Sequence, residues 1–198
     1  MKRQRSKAEL LKSIQTYQAL KKDEEQGNEI SRKTVYWRSA VIWSVALWQN
    51  EKFSANGIAD FLQYIVSNGV TDLPEERREE IRKMLGDKVD WSFRNTVTVP
   101  NKGNLIDQSV RELEYYNTKV YVDYSLLACE YLMKQKGYAR KRLDRVVGNV
   151  MFLDRLDAGT IWDMRQDLFD RRGIWIDLNG DEPPEDAKVI QKDFEEMD

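Results

Sequence analysis

Histidine is absent from this chain of 198 residues, and that absence removes the commonest general base and every imidazole metal site. Cysteine occurs once, at Cys129 in the apolar stretch SLLACEYLM, so neither an internal disulfide nor a thiolate cluster can form. A lone cysteine in that setting predicts a small core side chain and a reducing compartment. Proline is scarce (four) and the ten glycines fall at a few junctions, which favours long helices. Charge of one sign is missing too: Lys plus Arg (32) nearly balances Asp plus Glu (34), whereas a dedicated nucleic-acid binder is usually basic as a whole. The most apolar stretch, AVIWSVALW, is far too short to cross a bilayer, and no apolar run follows the basic start MKRQRSKAELL. A cytoplasmic protein with no membrane segment and no signal peptide is expected. Nor is there a G-x-S-x-G elbow, a Cys-His pair or a phosphate-binding glycine loop. DLNGDE (Asp177, Asn179, Asp181, Glu182) fails as a calcium loop, because its glycine stands fourth and the twelfth position is Lys188. No catalytic group, metal or cofactor is expected, and the chain reads as a non-enzyme.

What remains is a chain patterned for helices. SKAELLKSIQTYQALKK opens with a Ser6–Glu9 capping box, and Leu10, Ile14 and Tyr17 form an apolar face with Leu11 and Leu20. SRKTVYWRSAVIWSVALWQN is apolar almost all round from Tyr36 to Trp48, the signature of a central helix, and Trp37, Trp43 and Trp48 in it read as core. Two shorter helices follow, SANGIADFLQYIVSNG and DLPEERREEIRKMLG, the latter with Pro74 near its start, acids in its first turn and a glycine just past its end. Val97 and Val99 suggest a short strand. LIDQSVRELEYYNTKVYVDYSLLACEYLMKQKG resumes helix, with a break expected near Asn117. Two more helices follow, the last opened by Thr160 and Asp163 as a capping box. IWIDL, Ile174–Asp177, reads as a strand, and the remainder as a mobile acidic tail with a short final helix.

Shifting the sequence by 85 positions makes its apolar pattern recur. Val35 and Tyr36 fall on Val120 and Tyr121; Val41, Ile42 and Leu47 on Leu126, Leu127 and Leu132; Phe53 on Tyr138; Ile58 on Leu143; Phe61, Leu62 and Ile65 on Val146, Val147 and Val150. Identities are few, but the order of elements recurs as well, which predicts two similar halves in tandem about a pseudo-twofold axis. The expected fold is therefore mainly α, with one or two short β-strands. Its divisions are a basic amphipathic helix (1–30), a first helical repeat (31–95), a connecting strand, turn and helix (96–118), a second repeat (119–178) and an acidic tail (179–198).

One cluster stands out. Lys134, Lys136, Arg140, Lys141, Arg142 and Arg145 are six basic residues in twelve positions, and QNEKFSANGIAD, the matching stretch of the first half, holds nothing comparable. With Tyr138 among them, they form the candidate site for a partner protein or for nucleic acid; a solvated helix face is the bland reading. For a polyanion the basic groups would neutralise phosphates and Tyr138 would stack on an unpaired base, with Lys2, Arg3, Arg5 and Lys7 as auxiliaries.

The run Gly137-Tyr138-Ala139-Arg140-Lys141-Arg142-Leu143, followed by an acid-rich helix ending in Arg172-Gly173-Ile174, resembles a pattern in small helical accessory proteins of phages and prophages of Gram-positive bacteria. The pattern there is glycine-aromatic-glycine, basic residues and Arg-Leu, closed by a short Gly-Ile; here Ala139 stands for the second glycine, and only the second half of the chain is covered. The resemblance implies a viral protein at work in the bacterial host's cytoplasm, and assigns no activity. Together with the missing catalytic groups it favours binding to a host protein, as inhibitor or modulator. Nucleic-acid binding through 140–145 is the alternative.

Overall fold

The computed structural model describes residues 32–70, 73–86, 105–177 and 183–191. Among them are six helices: α1 (32–51), α2 (Ala55–Ser67), α3 (Glu75–Leu85), α4 (Leu105–Lys134), α5 (Arg140–Leu153) and α6 (Ala158–Arg172). Two three-residue strands follow, β1 (Ile174–Ile176) and β2 (Val189–Gln191). The fold is mainly helical.

Burial follows from the pattern of each segment. The all-apolar stretch of α1 places Tyr36, Trp37 and Trp43 through Trp48 inside, and the second half of α4 does the same from Tyr124 to Leu132. These two helices form the middle of one continuous core, with Tyr36 edge-on to Tyr124 at 5.6 Å between ring centroids. Each amphipathic helix turns its stripe toward them: α2 buries Ile58, Phe61, Leu62 and Ile65, and α5 buries Leu143, Val146, Val147, Val150 and Leu153. Phe61 meets Tyr124 and Tyr131 of α4, whereas Trp162 of α6 leans on Trp37 of α1 at 6.1 Å. Cys129 lies fully buried, and burial pushes its thiol up to about 12.

Local chemistry sets the ends. Ser54 caps α2, its hydroxyl accepting from the Gly57 amide at 3.1 Å. Helix α3 carries Glu75 and Glu76 in its first turn and Arg82 and Lys83 in its last, each sign placed to complement the helix dipole. Gly173 ends α6 at φ 68°, where a side chain is strained, and a Cβ there would also come within 3.0 Å of Lys188.

Three expectations need correcting. Helix α4 runs through Asn117 without a break and across the 118/119 boundary, because burial from Val120 onward outweighs the weak propensity of Asn117 and Thr118. The cap of α6 is Asp157, not the Thr160–Asp163 box: one Asp157 oxygen accepts from the Thr160 amide at 3.0 Å and the other from the Thr160 hydroxyl at 2.6 Å. Within the expected mobile tail, Val189–Gln191 pairs as a parallel strand with β1, in register Ile174↔Val189, and the Lys188 amide donates to the Gly173 carbonyl at 2.7 Å. The N-terminal helix with Lys2, Arg3, Arg5 and Lys7, the strand at Val97–Val99, most of DLNGDE and most of the tail's acids lie outside the described residues.

Two places in the backbone answer one another at a spacing of 85. Lys52 has φ 61° and Gly137 φ 68°, the Phe53 amide donates to the Leu47 carbonyl (3.1 Å) and the Tyr138 amide to the Leu132 carbonyl (2.9 Å). Ser54 and Ala139 then open the next helix with the same extended ψ of 167°. Four buried positions of α2 recur in α5 at that spacing, and buried Arg78 and Ile81 of α3 recur as Arg165 and Leu168 of α6, 87 positions on.

Candidate interaction surface around the basic cluster

The turn after α4 brings the basic cluster against the end of α1. Glu51, the last residue of α1, has a side chain only 1% exposed. A carboxylate withdrawn from water to that degree destabilises the fold by several kcal/mol unless it is bonded. Three groups of the cluster serve it: the Tyr138 hydroxyl donates to Oε2 at 3.0 Å, Arg142 Nε to Oε2 at 2.6 Å, and Arg145 Nη2 and Nε to Oε1 at 2.7 and 3.1 Å. Burial alone would raise the Glu51 pKa; the bonds from Arg142, Arg145 and Tyr138 outweigh it and hold the carboxyl below its ordinary value. Burial and the bond to Glu51 push the Tyr138 phenol up to about 12. The Arg142 guanidinium lies over the Tyr138 ring at 3.8 Å, closing that face.

A second interior acid takes another member. Glu130, on the buried side of α4 and 0% exposed, accepts from Lys134 Nζ at 2.6 Å and from Arg77 of α3 at 2.7 Å, both on Oε1. Lys136 sits over the rings of Phe53 (5.7 Å) and Tyr131 (5.4 Å). All six basic residues reach solvent, and among the described residues Arg140 and Lys141 have no interior partner; Arg140 lies 3.7 Å from Asp144 on the same helix face.

Of the seven candidate residues the structure brings three together, Tyr138, Arg142 and Arg145 on Glu51, while Lys134 turns to Glu130 and Lys136 to the rings of Phe53 and Tyr131. Tyr138 is 6% exposed and has no face open to a base. Sequence reasoning missed Glu51, Glu130 and Arg77. Glu130 did carry a signal, a lone acid inside the apolar run LLACEYLM, where burial requires a cation. Glu51 carried none, since QNEKF at a helix end reads as solvated.

Outside the cluster, large apolar side chains reach solvent on either side of the turn between α5 and α6. Phe152 is 65% exposed and Trp162 45%. The turn is held to α1 by Arg38, whose Nε pairs with Asp154 at 3.1 Å and whose Nη2 donates to the Asp154 and Leu156 carbonyls at 2.6 and 2.8 Å. Among the described residues no three His, Cys, Asp or Glu side chains converge to hold a metal ion, and no helix is long and apolar enough to cross a membrane. Comparison with protein-family models, with curated proteins and with solved structures finds no match to this chain.

Proposed function

We propose that the chain is a non-enzymatic binding protein that docks on a protein of a bacterial host, as an inhibitor or modulator, in the manner of the phage accessory proteins its second half resembles. The observation that carries this reading is the pair of exposed aromatic side chains, Phe152 and Trp162, on a turn anchored from within by Arg38. Aromatics on a rigid support are the usual anchors of protein interfaces. The internal use of Arg142, Arg145 and Lys134 lowers the weight of the nucleic-acid alternative. That alternative now rests on Arg140 and Lys141, exposed at the positive end of α5, whose first turn contains no acid.

The two halves are read here as copies of one ancestral unit. The shared turn at Lys52 and Gly137 supports this, as do the matched burial of α2 with α5 and the reciprocal contacts Glu51–Tyr138 and Lys136–Phe53. In that last pair the position before each turn meets the aromatic after the other turn, as a twofold axis requires. On this reading the extra basic residues of the second half compensate Glu51 and Glu130, which face Lys136 and Val45 as their counterparts.

The test is capture from bacterial lysate by the tagged chain, beside a Phe152→Ser variant. A protein retained by the parent and lost with Phe152→Ser supports docking through this turn. Nucleic acid co-purifying with no protein partner refutes it.

A further inference from the structure

A cavity of about 180 Å³ lies between α3 and α4, lined by none of the basic cluster and by neither Phe152 nor Trp162. At about 30 Å³ per water, it has room for about six water-sized groups, so it suits a small molecule or the head of a larger one. Its walls contain three cations, Arg78, Arg82 and Lys119, and two acids, Glu75 and Asp123. Both acids are already engaged. Arg78 takes both Asp123 oxygens, Nε on Oδ1 at 2.5 Å and Nη2 on Oδ2 at 3.0 Å. The Glu75 oxygens go to Arg78 at 2.5 Å and Arg82 at 3.2 Å, and Arg78 above all holds that carboxyl below its ordinary range. Arg82 Nη1 also pairs with Glu79 at 2.5 Å, so the three cations are balanced by three acids, and what is left over is donor capacity, not net charge. Arg82 Nε is shielded from solvent and has no acceptor among the described residues. The Lys119 ammonium, though close enough to Asp123 to oppose the rise that burial gives its pKa, has no carboxylate among them within salt-bridge distance. The Thr118 hydroxyl and the apolar surfaces of Val122 and Tyr115 complete the wall.

The opposite place in the molecule is filled. On the duplication reading above, on which this comparison alone rests, Val122 of α4 corresponds to Trp37 of α1, and Glu75 of α3 to Trp162 of α6. There the two indoles lie against one another at 6.1 Å and occupy the space. Shared packing therefore does not require an opening between α3 and α4; a valine and a carboxylate stand where bulk would close it.

We infer that the cavity between α3 and α4 binds a small anion, a phosphate or carboxylate group received by the Lys119 ammonium and the Arg82 Nε–H, with Val122 and Tyr115 against its apolar part. Since Arg78 joins α3 to Asp123 of α4, an anion seated there also tightens the contact between those helices.

The experiment is a titration of the full chain with inorganic phosphate and, separately, with succinate, at ionic strength held constant with chloride. It follows the amide resonances of Thr118 and Lys119. Saturable shifts in the roughly millimolar range are expected for at least one probe, and the probe that binds identifies the head group. Lys119→Gln should weaken binding about tenfold, the loss of one charge-assisted bond, and Val122→Trp, which restores the bulk found at Trp37, should abolish it. Circular dichroism checks that each variant is folded; if Val122→Trp is not, Lys119→Gln decides. Neither probe binding, or a folded Lys119→Gln binding as the parent does, overturns the inference. Neither variant touches Phe152, so this result and the lysate capture fail independently.

Discussion

Replacing Glu51 by glutamine keeps the shape of the side chain and one acceptor oxygen but removes the charge on which two arginines converge. Bonds to a charged group contribute about 1.5–3 kcal/mol each when well shielded. Here the acid is buried but Arg142 and Arg145 have side chains 47% and 59% exposed, so screening reduces each contribution to about 1 kcal/mol. The Tyr138 hydroxyl keeps its bond, now to the amide oxygen. Glu51→Gln should therefore cost about 2 kcal/mol, which for a chain of this length lowers the thermal midpoint by about 4–8 °C. Arg142→Gln or Arg145→Gln alone should cost under about 1 kcal/mol, because the other arginine remains. The pair together should cost about 3 kcal/mol, because a buried carboxylate is then left with Tyr138 only. Urea unfolding of the parent and these four variants, with the arginine set analysed as a double-mutant cycle, measures this. A Glu51→Gln protein within about 0.5 kcal/mol of the parent, or arginine effects that simply add, would refute the reasoning.

The same carboxylate gives stability a pH signature. Its folded pKa lies below the ordinary 4.5, so its contribution is present above that value and is lost as pH falls through the lower folded value; in acid the parent should converge on Glu51→Gln. Lys52 holds a left-handed φ of 61° without being glycine, so Lys52→Gly should raise stability by roughly 0.5 kcal/mol and Gly137→Ala, at φ 68°, should lower it by about 1 kcal/mol in the same urea assay. Cys129, buried and with its thiol pushed up to about 12, should resist a thiol reagent at pH 8 in the native protein and react at once in denaturant; reaction at comparable rates in both would contradict the packing of α4.

Much of the architecture was legible because it is periodic. The stripes of α2 and α5, the apolar α1 with its three tryptophans, the burial of Cys129 and the strand at Ile174 all follow from local spacing. The burial of α2 and α5 at positions 85 apart was legible for the same reason. Contacts between distant segments were not. The basic cluster could be seen, but Arg142 and Arg145 pair with an acid 91 and 94 residues earlier, and no local pattern connects them to it. Nor could spacing show that Tyr138 points inward, since the aromatic before a helix is as often exposed as buried. The continuity of α4 through Asn117 and the pairing of Val189–Gln191 with β1 are tertiary effects overriding weak local preference. The cavity between α3 and α4 depends on which arginine each acid takes, and the sequence of an alternating-charge helix does not specify that.

The central claim is that the basic cluster serves the interior acids, Arg142 and Arg145 tying α5 to Glu51 of α1 and Lys134 pairing with Glu130 within α4, and does not grip a polyanion. Fluorescence anisotropy with labelled single- and double-stranded DNA and RNA, titrated over a series of salt concentrations, tests it directly. Arg142, Arg145 and Lys134 are exposed but already paired with Glu51 and Glu130, so Arg140 and Lys141 are the cluster's arginine and lysine free for phosphates among the described residues. Binding should therefore be weak and the log–log salt slope no steeper than about −2, at slightly under one unit per phosphate neutralised. Tight binding with a slope near −5, abolished by Arg142→Gln under conditions where that variant stays folded, would contradict the account.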